Sequence, residues 1–256
     1  MAILARLSAA LMGGEVRVID LTHTLSPDFP VLVLPSDFGQ CAPFRIEEVS
    51  RYDSRGPAWY WRNFSCNEHT GTHFDAPVHW VTGKDIPNSS VDALPADSFI
   101  RPACVLDFSK EASADADFIL TAAHIEAWER AHGAVAEGHW VLFRTDWSKR
   151  SYDRYLNLRD DGPHSPGPDA DAIRLLIERG AVGFGVETIG TDAGQAGKFD
   201  PPYPAHTLLH GAGRFGLQCL RNLDQLPARG AVVVAPPLKI EKGSGSPLRV
   251  LALVEA

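Results

Sequence analysis

Ala103-Cys-Val-Leu-Asp-Phe108, then Thr121-Ala-Ala-His-Ile-Glu-Ala-Trp128, then His139-Trp-Val-Leu-Phe-Arg-Thr-Asp-Trp147 is the stretch that decides the fold. The outer two runs have strand length and strand composition. The middle run opens on a capping Thr121, repeats its apolar residues at spacings of three to four and stops at Gly133, which predicts a helix. The same order returns downstream, where a helix starting at Asp169 ends at Gly180 and Val182-Gly-Phe-Gly-Val-Glu187 follows as a strand. Alternation of this kind predicts an α/β domain. Ala231-Val-Val-Val-Ala235 and Pro247-Leu-Arg-Val-Leu-Ala-Leu-Val254 add two strands with no helix between them, so the sheet is mixed.

Upstream, Val16 to Leu21 reads as a short strand that runs through Asp20-Leu-Thr-His23 into a Pro- and Ser-punctuated loop ending at Pro35. Met1 to Met12 is apolar with Arg6 as its one basic residue, and the Gly13-Gly14 pair marks it as an amphipathic helix and not a cleaved leader. No apolar run is long enough to span a membrane. No repeat or linker divides the 256 residues, so one domain over 1–256 is expected. The chain is 45% hydrophobic and 22% charged with a formal charge of −8, and it has no Lys/Arg cluster, which argues against nucleic acid and anionic membrane as partners. Cys41, Cys66, Cys104 and Cys219 fall at no metal-ligand spacing, and a chain of this length needs no disulfide staples, which suggests a reducing, cytoplasmic setting.

The densest polar cluster is His69-Thr-Gly-Thr-His73-Phe-Asp75-Ala-Pro-Val-His79. A regular helix would unite His69 with His73 but turn Asp75 about 240° away. A straight strand would separate residues four apart by about 13 Å. The segment must therefore bend, and Gly71, which has no Cβ, is where a bend costs least. Two imidazoles and a carboxylate leave coordination positions open on a metal ion, as a catalytic site requires. Before this cluster, Trp59-Tyr-Trp61 and Phe64, and within or after it Phe74 and Trp80, suit a flat bicyclic substrate held between ring faces; core packing or a dimer interface accounts for them equally well. Phe38, in Leu34-Pro-Ser-Asp-Phe38, is a candidate for the opposite wall.

The string His-x-Gly-Thr-His-x-Asp-x-Pro-x-His resembles the signature of the cyclase-like metal-dependent hydrolases, which include bacterial kynurenine formamidases and isatin hydrolases. Asp20-Leu-Thr-His-Thr-Leu-Ser-Pro27, Arg144-Thr-Asp-Trp147, Gly185 to Asp192, Asn222 to Pro227 and Pro237 to Pro247 are similar to further family segments. The resemblance implies a swivelling β/α/β fold, metal ligation by His69, His73 and Asp75, proton transfer by His79, and a homodimer or larger homo-oligomer. An imidazole near its ordinary pKa of about 6.5 suits proton transfer in both directions. The formamidases hold a second zinc with a His and a Glu twelve residues apart, and the matching positions here are His206 and Gln218. A neutral carboxamide supplies no charge to offset a second dication. In this the chain resembles the isatin-hydrolysing branch, which implies one Mn2+ per chain, with Zn2+ as the alternative, and a small cyclic amide as substrate. His206 and Gln218 would then orient the attacking oxygen or the product carboxylate. Gln218 and Cys219 read onto a helix face, where Cys219 either carries protons or packs. His23 and His210 read as hydrogen-bonding residues. The rival readings are a kynurenine formamidase, a non-haem iron oxygenase, which the strand-helix alternation disfavours, and a non-catalytic metal- or ligand-binding protein, which His79 beside the ligands disfavours.

Overall fold

The computed structural model describes residues 2–256; Met1 lies outside the described residues. Helix α1 (Ile3–Gly13) stops at Gly14, whose left-handed φ of 79° is the turn that the glycine pair predicts. It leads into β1 (Val16–Asp20). An antiparallel hairpin, β2 (Arg45–Asp53) and β3 (Gly56–Ser65), comes next, then the three-residue β4 (His73–Asp75). The alternating core follows as β5 (Ile100–Asp107), α2 (Ala122–His132), β6 (Trp140–Arg144), α3 (Ala170–Glu178), β7 (Gly183–Val186) and β8 (Phe215–Gln218). Three strands close the chain: β9 (Arg229–Val234), β10 (Gly245–Pro247) and β11 (Leu251–Glu255). Thr121 and Asp169 cap α2 and α3, and Gly133 ends α2, as read from the sequence.

Nine strands form one sheet in the order β1-β11-β9-β5-β6-β7-β8-β4-β10. Strands β5 to β8 are parallel, because each returns through a crossover, and the wings on both sides are antiparallel. The mixed α/β sheet expected from the sequence is what forms. On one face, Ile125 and Trp128 of α2 and Ile173 and Leu176 of α3 pack on Leu106, Val141, Phe143 and Phe184. On the other, Val105, Trp140, Leu142 and Leu217 join Phe74, Phe215 and the inward residues of the wing, Val233, Ala252 and Val254. Burial on both faces explains why the β6 run is continuously apolar, whereas alternate residues are buried in the wing strands β9 and β11. No helix among the described residues is long and apolar enough to cross a membrane.

Three sequence expectations need correction. Pro247 to Val254 is two strands at distant places in the sheet, because the chain leaves β10 beside β4 and crosses to pair with β9 and β1. Gln218 lies on a strand and not a helix: β8 is bonded on both sides, and Cys219 just beyond it has a φ of 51°, outside the helical region. The β2–β3 arm was passed over, although Arg45-Ile-Glu-Glu-Val and the Asp53-Ser-Arg-Gly56 turn carry a hairpin pattern.

Phe74 sets the register of β4. Its ring is fully buried against Phe99, Trp140 and Phe215, and because side chains alternate along a strand this turns His73 and Asp75 together to the opposite face. Phe74→Ala should therefore lower stability by roughly 3–5 kcal/mol and weaken metal binding with it, as measured by urea denaturation and metal analysis of the folded protein.

Candidate metal centre and active site

Local geometry brings the motif together. Gly71 has a φ of 67°, so the bend falls where the sequence places it, and an added Cβ there would meet Leu25 at 2.9 Å. Past the bend His73 and Asp75 share a face, and the turn Pro77–His79 folds the chain back until the His79 ring lies over His69 with centroids 3.8 Å apart.

Asp75 is the hub. Its Oδ1 lies 2.7 Å from His69 Nδ1 and 3.4 Å from His73 Nε2. His73 Nδ1 donates to the Gly71 carbonyl at 2.7 Å, which leaves the Nε2 lone pair aimed at Asp75. The second oxygen, Oδ2, accepts from the Gln218 amide and lies 3.8 Å from His206 Nε2. Gln218 reaches it because β8 runs antiparallel to β4 with Gln218 opposite His73. His206 and His210 come from a π-helical turn, Ala205–His210. Asp192 fixes that turn, accepting from the Ala205 amide at 2.6 Å through Oδ1 and bonding His206 Nδ1 at 2.5 Å through Oδ2. His210 Nδ1 donates to the Arg214 carbonyl at 3.0 Å.

The charges favour ligation. Burial alone would raise the Asp75 pKa, but His79, His73 and His69 around it hold it well below the usual carboxylate range. Burial pushes His73 down to about 4, so its ring is neutral at pH 7 and can donate a lone pair. Burial likewise pushes His79 down to about 3, which corrects the expectation of an ordinary imidazole. For His206 burial works downward, yet the Asp192 hydrogen bond and charge outweigh it and raise the pKa.

Space matches charge. The cross-strand neighbours of Asp75 are Gly216 on β8 and Gly245 on β10. A Cβ at Gly216 would stand 3.0 Å from Asp75 Oδ2, and one at Gly245 would stand 2.5 Å from His69 Cε1. Two imidazoles, one ionised carboxylate and a cradle kept open by two glycines fit a divalent metal ion. Ligand atoms of His69, Asp75 and His79 lie within 4.8 Å of one another, and His73 Nε2 lies 3.4 Å from Asp75 Oδ1. Gly216, Gly245, Asp192 and His210 were missed as site residues; the recognisable signal was Gly216 two residues before Gln218.

Trp80 stands at the site, with its ring 4.7 Å from His206 and its indole N–H donating to Thr207. Trp59 and Phe38 are not brought there: they are 45% and 63% exposed, Trp59 beside Trp61 on the arm and Phe38 on its loop. Cys219 packs with Phe29, Trp147 and Tyr155, and burial pushes its thiol up to about 12. His23 packs among Phe29, Tyr152 and Tyr155. A concavity of about 690 Å³ between His23, Phe64, Glu68 and Leu248 is lined by none of the motif histidines. The chemistry belongs to the histidine cluster, where the reactive groups converge.

This fold and site define a hydrolase of the metal-dependent, water-activating class. The family model described as "Cyclase: Putative cyclase" matches residues 19–193, and the chain belongs to that family. It is 53% identical to an isatin hydrolase of Roseibium aggregatum over 98% of this chain and 97% of the relative. It is 34% identical to a kynurenine formamidase of Salinibacter ruber, over 72% and 74%. Isatin hydrolase A from Labrenzia aggregata, solved with benzyl benzoate, superposes over the full length of both chains with a TM-score of 0.98 at 63% identity. An isatin hydrolase bound to the product analogue thioisatinate does the same at 50% identity.

His69→Ala, His73→Ala and Asp75→Ala should each lose bound metal and turnover together while keeping the circular dichroism of the parent. Full metal content in any one of them removes that residue from the ligand set.

Proposed function

We propose that this chain hydrolyses the lactam C–N bond of isatin to give isatinate. The observation that carries the reading is Gln218, whose amide N–H binds Asp75 Oδ2 where a formamidase of the dinuclear type would present a carboxylate. The full-length similarity to isatin hydrolases, one of them bound to a product analogue, supports the same substrate.

One divalent ion held by His69, His73 and Asp75, Mn2+ with Zn2+ as the alternative, would polarise the lactam carbonyl and make water nucleophilic near neutral pH. The residues do the rest. His79 is neutral at pH 7 and takes the proton of the attacking water. An imidazolium buried there is a strong acid, so it passes the proton to the ring nitrogen as the C–N bond breaks. His206, whose pKa is raised by its hydrogen bond to Asp192 against the effect of burial, and the Gln218 amide receive the carboxylate that forms. Trp80 supplies one flat wall.

The opposite wall comes from a second copy in this reading. Trp59, Trp61 and Phe64 are 45%, 57% and 66% exposed on an arm whose strands pair with each other. In a homodimer these rings, with Phe38, would be covered and would close the partner's site. Light scattering should give twice the mass of one chain, and Trp61→Glu should shift it toward one. A cytoplasmic setting agrees with four unpaired cysteines.

His79→Ala should keep its metal and bind isatinate, yet lose roughly 10²–10⁴-fold in turnover. Metal analysis with steady-state kinetics checks this; loss of metal would make His79 a ligand, and turnover within a few-fold would move proton transfer to another group. The parent enzyme should turn over isatin much faster than N-formylkynurenine. The reverse ranking would make it a kynurenine formamidase.

A further inference from the structure

The outer nitrogen of His69 has partners that the reaction as drawn above leaves unused. His69 Nδ1 faces Asp75 Oδ1 at 2.7 Å, and on the far side of the ring Nε2 lies 2.9 Å from Ser244 Oγ. Ser244 Oγ in turn donates to Glu68 Oε2 at 2.6 Å. We propose that Glu68 and Ser244 are positioning residues for the metal centre: the Glu68 carboxylate turns the Ser244 hydroxyl so that it holds the His69 proton on Nε2 and leaves the Nδ1 lone pair facing Asp75.

The direction of this chain follows from counting protons. A hydroxyl has one proton to give and an ionised carboxylate only accepts, so the Ser244 proton goes to Glu68. The Ser244 oxygen is then an acceptor, and the group facing it is His69 Nε2. A neutral imidazole carries one N–H and one lone pair, so an N–H at Nε2 puts the lone pair at Nδ1, on the Asp75 side. A carboxylate on the outer nitrogen of a ligand histidine fixes its tautomer and ring angle. Here a serine stands between the two.

Ser244 is itself held in place. Its N–H also donates to Glu68 Oε2, at 3.1 Å, and its carbonyl accepts from the Ala76 N–H at 2.9 Å. The flanking glycines leave the room that the contact needs: a Cβ at Gly243 would stand 3.1 Å from Glu68 Oε1, and one at Gly245 would stand 2.5 Å from His69 Cε1. Gly243-Ser244-Gly245 thus lets the backbone pass close to a carboxylate and an imidazole with one hydroxyl joining them. The ring so held is the one that His79 lies over, with centroids 3.8 Å apart, so the angle of His69 also sets the seat of the proposed proton-transfer residue.

The proposal rests on His69 being a metal ligand, and its test needs no substrate. Co2+ affinity, measured by competition with a chelator, should fall about 10–100-fold in Ser244→Ala and in Glu68→Ala while circular dichroism stays that of the parent. Glu68→Gln should remain within about threefold of the parent, because a carboxamide oxygen still accepts from the hydroxyl. The double variant Ser244→Ala/Glu68→Ala should lose no more than either single one, since both act through the same hydrogen bond. Nitrogen NMR of the Zn2+-loaded protein, labelled at histidine, should find the His69 proton on Nε2 and slow to exchange with water. Its exchange should quicken in Ser244→Ala, which a role in merely pinning the loop would not produce. Affinity within about twofold of the parent in a folded Ser244→Ala would overturn the proposal, as would losses that multiply in the double variant. Equal losses in Glu68→Gln and Glu68→Ala would do the same, and that pair serves if Ser244→Ala does not fold. Metal retained in His69→Ala would sink the ligand assignment itself, whereas metal lost there but kept by Ser244→Ala would sink only the role of Ser244 and Glu68.

Discussion

A carboxylate with no exposed surface is held ionised at the centre of this molecule, and most of the site is arranged around that constraint. Uncompensated burial of such a charge costs several kcal/mol even after relaxation. Asp75 meets the cost with His69 and His73 at one oxygen and the Gln218 amide and His206 at the other. Those partners come from a turn, two strands and a π-helical segment, so the carboxylate requires tertiary structure before it can exist. Once they are in place the group carries a negative charge away from solvent, where electrostatic attraction for a cation is less screened.

The same arrangement explains why the residue type at position 218 matters. A carboxylate opposite His73 would add negative charge beside Asp75, and a second dication would be its natural complement. The carboxamide of Gln218 instead donates a proton to Asp75 and needs no counter-ion. It also offers a hydrogen bond that can be transferred to an incoming carboxylate. In the proposed reaction that carboxylate is the one formed as the ring opens.

The surroundings of the site divide into rigid and outward-facing parts. His73, Asp75 and Gln218 sit on strands fully bonded within the sheet, with Phe74 and Leu217 locking them from the other face. His206 depends instead on Asp192 and on a π-helical turn, a feature associated with functional sites. The aromatic arm lies outside the core entirely. His73, Asp75 and Gln218 thus rest on well-packed strands, whereas the aromatic rings of the arm face outward.

Local information in the chain determined a good deal. Alternating apolar runs, the caps at Thr121 and Asp169 and the stop at Gly133 were readable because each depends on neighbours within a few residues. So was the motif from His69 to His79, including its bend at Gly71, since spacing alone ruled out straight elements. What the sequence did not reveal lies in contacts across long separations. β4 and β10 have three residues each, too few to show a period, and they are strands because of what pairs beside them. Gly216 and Gly245 matter only because two register matches, 141 and 170 residues along from Asp75, put them against one carboxylate. His210 looked like an ordinary buried histidine until the π-helical turn aligned it with His206 and Asp75. Residue types and their local spacing carry the chemistry that is possible; only the sheet register and the turns between strands decide which groups meet, because that choice is made by packing and pairing energies summed over the whole chain.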